Sequence, residues 1–336
     1  MPIAWTRHSE GLPKRQKLHQ TVERKEMSRR DELTFAGLPA CSDMSNISAG
    51  IAIIGITHAT PYERGVPTYT LNTSEAIRKK SVRYPDEIIS WDFDLEGTLL
   101  GDGNVRVVDC GDVLGDPSDP EGNRDGATNA IKCILRAGAV PIVIGGDDSV
   151  PFVVFRAFEE YGPINILQID AHIDWRDEIN GVTEGLSSTM RRASEMSWVD
   201  RIVQIGSRGV GSARVEELEA ARAYGAQIVT AYAMHKNGVD DVLDIIQEGS
   251  AWYVTLDCDG LDPSVMPAVD YPSPGGLSYT HVIELLHGLS RRARIVGFNL
   301  VEFRPDMDVK GLGAVTAMRI IWNAIGVLVR SPFLGR

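Results

Sequence analysis

Residues 164–174 read Ile-Asn-Ile-Leu-Gln-Ile-Asp-Ala-His-Ile-Asp. The stretch starts as an apolar strand and ends in three groups of metal-ligand type, Asp170, His172 and Asp174. Strand side chains alternate faces, so an extended chain puts these three on one side and Ala171 and Ile173 on the other. Two carboxylates and an imidazole on one buried face are costly unless cations neutralise them. Taken alone, the stretch fits either a metal site or a solvated strand end whose acids happen to alternate.

Its neighbours set the fold. Short buried-type strands are read at residues 50–56, 105–109, 139–144, 164–169, 201–205, 227–230, 252–256 and 294–300. Helical spacing falls between them, in a stretch ending Ala76-Ile77-Arg78 and over residues 126–137, 150–161, 213–224, 239–247, 280–291 and 314–329. Alternating strands and helices predict an α/β fold, a three-layer α/β/α arrangement with a central, mostly parallel sheet. No repeat or linker divides the chain. We expect an N-terminal arm over 1–45 and a single domain over 46–336. Residues 1–31 mix both signs of charge, as in an arm that is unstructured or laid on a neighbouring subunit.

Composition excludes several function classes. The 336 residues are 43% hydrophobic and 24% charged, with a net charge of −12 and no basic stripe. That argues against a nucleic-acid partner and suits a cationic ligand. Four cysteines, Cys41, Cys110, Cys133 and Cys258, form no CxxC pair, so reduced thiols in a cytoplasmic protein are expected. No apolar run approaches the roughly 20 residues of a membrane span, and the N-terminus lacks a signal peptide's apolar core. No membrane partner is expected.

In open α/β sheets, sites form at the carboxyl ends of strands. Here Asp147 and Asp148 follow one strand, Asp170–Asp174 the next, Asp257, Asp259 and Asp262 a third, and Glu302 the last. Acids delivered to one edge by four strand ends point to a dinuclear metal site, the arrangement used for metal-assisted hydrolysis. Cys258, facing the packed side, reads as core rather than nucleophile. The glycines Gly206, Gly209 and Gly211 have the wrong spacing for a dinucleotide loop and read as a tight turn.

These motifs resemble those of the ureohydrolase family (arginase, agmatinase and relatives), agmatinase-type members most of all. The family signatures Asp-Ala-His-x-Asp and Asp-x-Asp-x-x-Asp-Pro are present in full, at Asp170–Asp174 and Asp257–Pro263. Flanking stretches 204–209, 272–277 and 297–302 are similar too, and the likeness runs from about Gly50 to Val329. The resemblance implies an arginase-like fold and hydrolysis of a guanidino compound to urea and an amine, with two Mn2+ or Ni2+ ions. It implies that Asp170 and Asp257 bridge the metals. Asp174 then completes one shell, and His172 and Asp259 the other. Glu302 would pair with the substrate guanidinium, and Asp259 would belong to the catalytic set. Trimeric or hexameric assembly, with itself or with a related ureohydrolase subunit, is also implied.

Two departures stand out. The family's Gly-Gly-Asp-His-Ser has Asp148 in place of its histidine ligand, and a His-Gly pair that shuttles protons is replaced by Glu184-Gly185. Asp148 remains a competent ligand for a hard cation. The five carboxylates Asp148, Asp170, Asp174, Asp257 and Asp259 then exceed by one the four charges of two dications, making a bound water less acidic and a guanidinium better held. Glu184 would serve as the acid–base and substrate-binding group, or else merely salt-bridge Arg191 or Arg192. Trp175 opens the specificity segment as an aromatic wall, with Arg176 available to a carboxylate; His58 and Tyr62 of the early loop are further lining candidates. Agmatine-like and alkylated guanidines, guanidino acids and biguanides of the metformin type all fit. The alternative is a degenerate, non-catalytic partner subunit of a heteromeric ureohydrolase.

Overall fold

Apolar segments with no polar face must be covered on both sides, and a parallel sheet between helix layers does this. A computed structural model of the chain describes residues 33–82 and 87–335 and has this architecture. Among the described residues the strands are β1 (Ile51–Ile56), β2 (Val107–Val113), β3 (Val140–Ile144), β4 (Ile164–Ile169), β5 (Val199–Ile205), β6 (Gln227–Val229), β7 (Ala251–Asp257) and β8 (Arg294–Val301). The helices are α1 (Thr73–Ser81), α2 (Pro120–Arg136), α3 (Val150–Ala157), α4 (Thr189–Ala193), α5 (Val215–Tyr224), α6 (Ala231–Asn237), α7 (Asp240–Leu243), α8 (Tyr279–Arg292) and α9 (Leu312–Arg330). Every strand pairing is parallel, in the order β2-β1-β3-β8-β7-β4-β5-β6.

Alternation along β1 sorts the core into two layers. Ile51 and Ile53 pack with α1 and α6–α9, while Ala52, Ile54 and Ile56 pack with α2–α5. Cys258 is fully buried in the first layer. Helix α9 is long and apolar enough to cross a membrane by composition, but 72% of its apolar window is buried within the protein, as in a core helix.

Several helices differ from the sequence reading: α4 falls where none was expected, and α7 ends at Leu243 rather than at 247. Helix α2 starts at Pro120, six residues before the expected start; Gly122 and Gly126 hide its periodicity. Its true start signal is Asp119, whose side chain accepts from the Gly122 N–H at 2.9 Å, followed by Pro120 in the first turn. Helix α6 falls where no helix was expected, capped by Thr230, which accepts from the Ala233 N–H at 3.2 Å. Of the arm expected over 1–45, residues 1–32 lie outside the described residues. The rest of it is packed: Phe35 and Leu38 are buried in the core.

One buried ion pair ties this entry segment to the sheet edge. The Arg78 guanidinium of α1 meets both Asp109 carboxylate oxygens, at 2.8 and 2.9 Å, and also reaches Asp112. Asp109 in turn accepts from the Phe35 N–H at 2.7 Å. Asp109→Ala would strand a buried guanidinium, so unfolding in urea should show a loss of about 3–5 kcal/mol. Lys79→Ala, at the residue after Arg78, breaks an exposed pair with Glu75 four residues earlier and should cost less than about 0.5 kcal/mol.

Candidate metal centre

The four central strands end on one level. Register pairs Ile144 with Leu300, Leu300 with Leu256, and Leu256 with Ile169. Asp257 and Asp170 occupy the next row, and Asp148 and Glu302 follow just beyond β3 and β8. Neighbouring strands are under 5 Å apart, so parallel pairing alone brings these acids together.

The chain leaves the sheet where the ligand-type residues begin. Strand β4 ends at Ile169, and residues 170–174 turn rather than extend. The strand alternation expected over Asp170, His172 and Asp174 therefore does not operate. A turn gathers them instead: the His172 N–H donates to Asp170 Oδ1 at 2.6 Å, and Asp174 takes a left-handed backbone with φ of 49°. Beyond β7, a tight helical turn over Cys258–Gly260 likewise returns Asp259, whose N–H donates to Asp257 Oδ1 at 2.8 Å. Gly260 is required there, because a Cβ would sit 2.7 Å from the Asp170 backbone nitrogen.

Two donor groups result. Asp148, Asp170 and Asp257 offer oxygens within 4.8 Å of one another, as do the donor atoms of Asp170, His172 and Asp259. Asp170 belongs to both. Burial, then the charges of Asp174 and Asp170, hold the Asp148 carboxyl well above its ordinary range. Burial, then Asp259 and Asp170, do the same to Asp257. Burial disfavours a charge on His172, but hydrogen bonds with Asp170 and Asp259 override it and push its pKa up to about 12; its Nδ1 lies 3.1 Å from Asp259 Oδ2. Glu302, in a left-handed conformation with φ of 64°, is pushed up to about 8 by burial and then by Asp147.

This donor set fits metal. Both Asp148 carboxylate oxygens are buried with no hydrogen-bond partner, and an uncompensated buried carboxylate is unstable without a cation. The donors are oxygens and one imidazole, ligands that suit divalent ions of borderline or hard character.

The centre opens into a cavity of about 790 Å³, lined by Asp148, Asp257 and Asp259 below and by Tyr62, Tyr69 and Tyr271 above.

Comparisons with known proteins agree with this geometry. Residues 49–326 match the model of the Arginase family. The chain belongs to the arginase family. An N(1)-aminopropylagmatine ureohydrolase of Thermus thermophilus is 34% identical across 57% of this chain and 64% of its own length, so the match spans just under two thirds of that relative. A guanidinopropionase of Pseudomonas aeruginosa is 29% identical over 89% of this chain and 92% of its own. The structure of proclavaminate amidino hydrolase from Streptomyces clavuligerus superposes with a TM-score of 0.76 at 27% identity, covering 89% of this chain and 97% of that one.

Within this arginase-family site, the structure brings together Asp148, Asp170, His172, Asp174, Asp257, Asp259 and Glu302. It places Glu184 elsewhere. Its carboxylate pairs with Arg124 at 2.9 Å, neither Arg191 nor Arg192 being its partner, and it lines a separate surface cavity with Phe152 and Arg156. The next residue, Gly185, packs so closely on the Tyr62 ring that a Cβ there would clash with it, and Tyr62 itself lines the cavity of the centre. Trp175 touches the cavity but is only 2% exposed, with its indole N–H donating to Gln204 at 2.9 Å. His58 is buried outside the cavity lining. Asp147 and Asp262 accept local N–H groups, from Ser149 and from Gly275 and Gly276.

Sequence reading missed the groups that hold the ligands. Gln168 donates through Nε2 to both Asp170 Oδ2 and Asp174 Oδ2, each at 2.7 Å, and is itself held by Gln204. The signal was present: Gln168 is a polar residue in an apolar strand, two before Asp170 and so on the same face. Because Asp170 serves both donor groups, Asp170→Asn should lose both ions and Asp148→Ala only one. Elemental analysis of the purified chains would read this as about two, zero and one ion per chain for wild type and the two variants.

Proposed function

We propose that this protein is a binuclear, metal-dependent amidinohydrolase that cleaves a guanidino compound to urea and an amine. One observation carries the reading: Asp148, Asp170 and Asp257 converge, and Asp148 and Asp257 line a cavity that Glu302 also lines. Two divalent cations, when bound, supply water activated for hydrolysis near neutral pH. The chain's own groups bind and orient. Glu302 offers a carboxylate to a guanidinium, a pairing whose planar fork fixes orientation. Asp259 and His172, linked at 3.1 Å, hold their side of the centre in place. Mixed carboxylate and imidazole donors suit Mn2+ and Ni2+ alike. Assembly into homo- or hetero-oligomers is proposed on the family's habit, and residence in the cytoplasm on four free thiols.

The wall beyond Glu302 supports a narrower substrate class. Its two charged features are already paired: Arg176 with Glu217 at 3.2 Å, and Asp270 with Arg304. Besides the serines Ser187, Ser212 and Ser273, the rest of the wall is largely apolar or aromatic, from Tyr62, Ile179, Leu186, Val210, Val269 and Tyr271. A substrate tail carrying its own charge would compete with these pairs, while an alkyl tail would not. An alkyl-substituted guanidine, or a biguanide with alkyl groups outermost, fits best. The non-catalytic subunit reading has less support, since a silent site gains nothing from a buried, partnerless carboxylate at Asp148.

A urea-release panel tests this. N-butylguanidine should exceed both agmatine and 3-guanidinopropionate in kcat/KM by about tenfold or more, equivalent to ~1.4 kcal/mol. Chelation should abolish turnover, and manganese or nickel should restore it. The reverse substrate order would overturn the neutral-tail assignment, and no urea from any member with either metal would overturn the hydrolase reading.

A further inference from the structure

Tyr69 sits on the loop between β1 and α1, far in sequence from Glu302, yet its hydroxyl donates to Glu302 Oε2 at 2.7 Å. The other oxygen, Oε1, accepts from the Asp148 backbone N–H at 2.8 Å. A carboxylate offers about two acceptor positions on each oxygen. One donor on each therefore fixes the plane of the group and leaves one position free on each oxygen. That is the arrangement a planar, two-pronged cation needs.

The loop is built to hold Tyr69 there. Thr73 Oγ1 donates to the Phe303 carbonyl at 2.6 Å, fastening the loop's end to the residue after Glu302. Thr68 Oγ1 donates to Asp147 Oδ2 at 3.5 Å. The Arg304 guanidinium lies 5.1 Å from the centroid of the Tyr69 ring, and Asp270 and Asp306 fix that arginine from its other side. Ring and hydroxyl are thus set by separate contacts, and the ring also lines the cavity. Burial, followed by the charge of Glu302, raises the Tyr69 phenol above its ordinary value, so it stays a donor.

We infer that Tyr69 is a positioning residue for substrate recognition: its hydroxyl locks the Glu302 carboxylate in the plane that receives the guanidinium. This rests on the reading of Glu302 as the guanidinium acceptor. A fixed acceptor improves binding of substrate and transition state alike, so its loss raises KM more than it lowers kcat.

The test is a double-mutant cycle on equilibrium binding, which is free of turnover. Benzamidinium, an aromatic amidinium that resists hydrolysis, and guanidinium are titrated calorimetrically into the metal-loaded wild type, Tyr69→Phe, Glu302→Gln and the double variant. Tyr69→Phe should weaken binding about tenfold in wild type and have no further effect beside Glu302→Gln. For an alkylguanidine that is turned over, Tyr69→Phe should raise KM about tenfold with kcat within about threefold. Tyr69→Leu should match Tyr69→Phe, because the hydroxyl is what acts. Unchanged binding in Tyr69→Phe, purely additive losses in the cycle, or a loss seen only with Tyr69→Leu would each overturn the proposal. Unchanged binding in Glu302→Gln, or no binding of either probe to wild type, would instead refute the role given to Glu302 under the proposed function.

Discussion

Like charge held close in a poorly solvated place is the constraint on which this structure depends. Asp148, Asp170, Asp174, Asp257 and Glu302 are all buried or nearly so, with each pushing its neighbours toward the neutral form. Water would separate such groups, but the sheet does not let them part. Their backbones are fixed by parallel pairing across β3, β8, β7 and β4, and their side chains by donors such as Gln168 and the Asp148 N–H. The fold thus supplies rigidity and leaves a deficit of positive charge. On the function proposed above, divalent ions and a cationic substrate would fill the same deficit, so the demands of folding and of function converge on one place.

Strain is concentrated at the same level. Among the described non-glycine residues, only a few adopt left-handed backbone, and Asp174 and Glu302 are two of them. Such conformations persist where their surroundings over-determine them. For Asp174 the restraint comes from Gln168 and from the Met190 and Arg191 N–H groups on its carbonyl. For Glu302 it comes from the Gly146 carbonyl, the Asp148 N–H and Tyr69. Each residue is turned toward the centre against its own backbone preference.

Much of this was legible from the residues. The eight strand-type runs, most of them buried, and their alternation with helices pointed to the sheet, because continuous apolar runs have few other homes. The clustering of Asp148, Asp170, Asp257 and Glu302 followed from their shared place after strands. What could not be read was how the chain turns after each strand. Period-two reasoning grouped Asp170, His172 and Asp174 by a mechanism that ends at Ile169. Glu184 shows the same limit in reverse: ten residues after a signature in sequence, it pairs with Arg124 and lines a different cavity, while Tyr62 lines the central one. Tyr69 carried no sequence signal at all, since its partner lies 233 residues away.

Strand β8 has a consequence for how the protein is made. It is last of the strands in sequence but lies in the middle of the sheet, between β3 and β7. Before it arrives, β2-β1-β3 and β7-β4-β5-β6 share no strand pairing, and each presents an open inner edge. During synthesis, therefore, two half-sheets wait for a keystone that emerges only after the other seven strands. Asp148 lies on the first half and Asp170 and Asp257 on the second, so the donor group of Asp148, Asp170 and Asp257 is complete only once β8 has joined the halves, while Asp170, His172 and Asp259 all belong to the second half. On the proposed function, loading of that shared donor group would follow closure of the gap by β8, and until then the two open edges are where pairing with a foreign strand must be prevented.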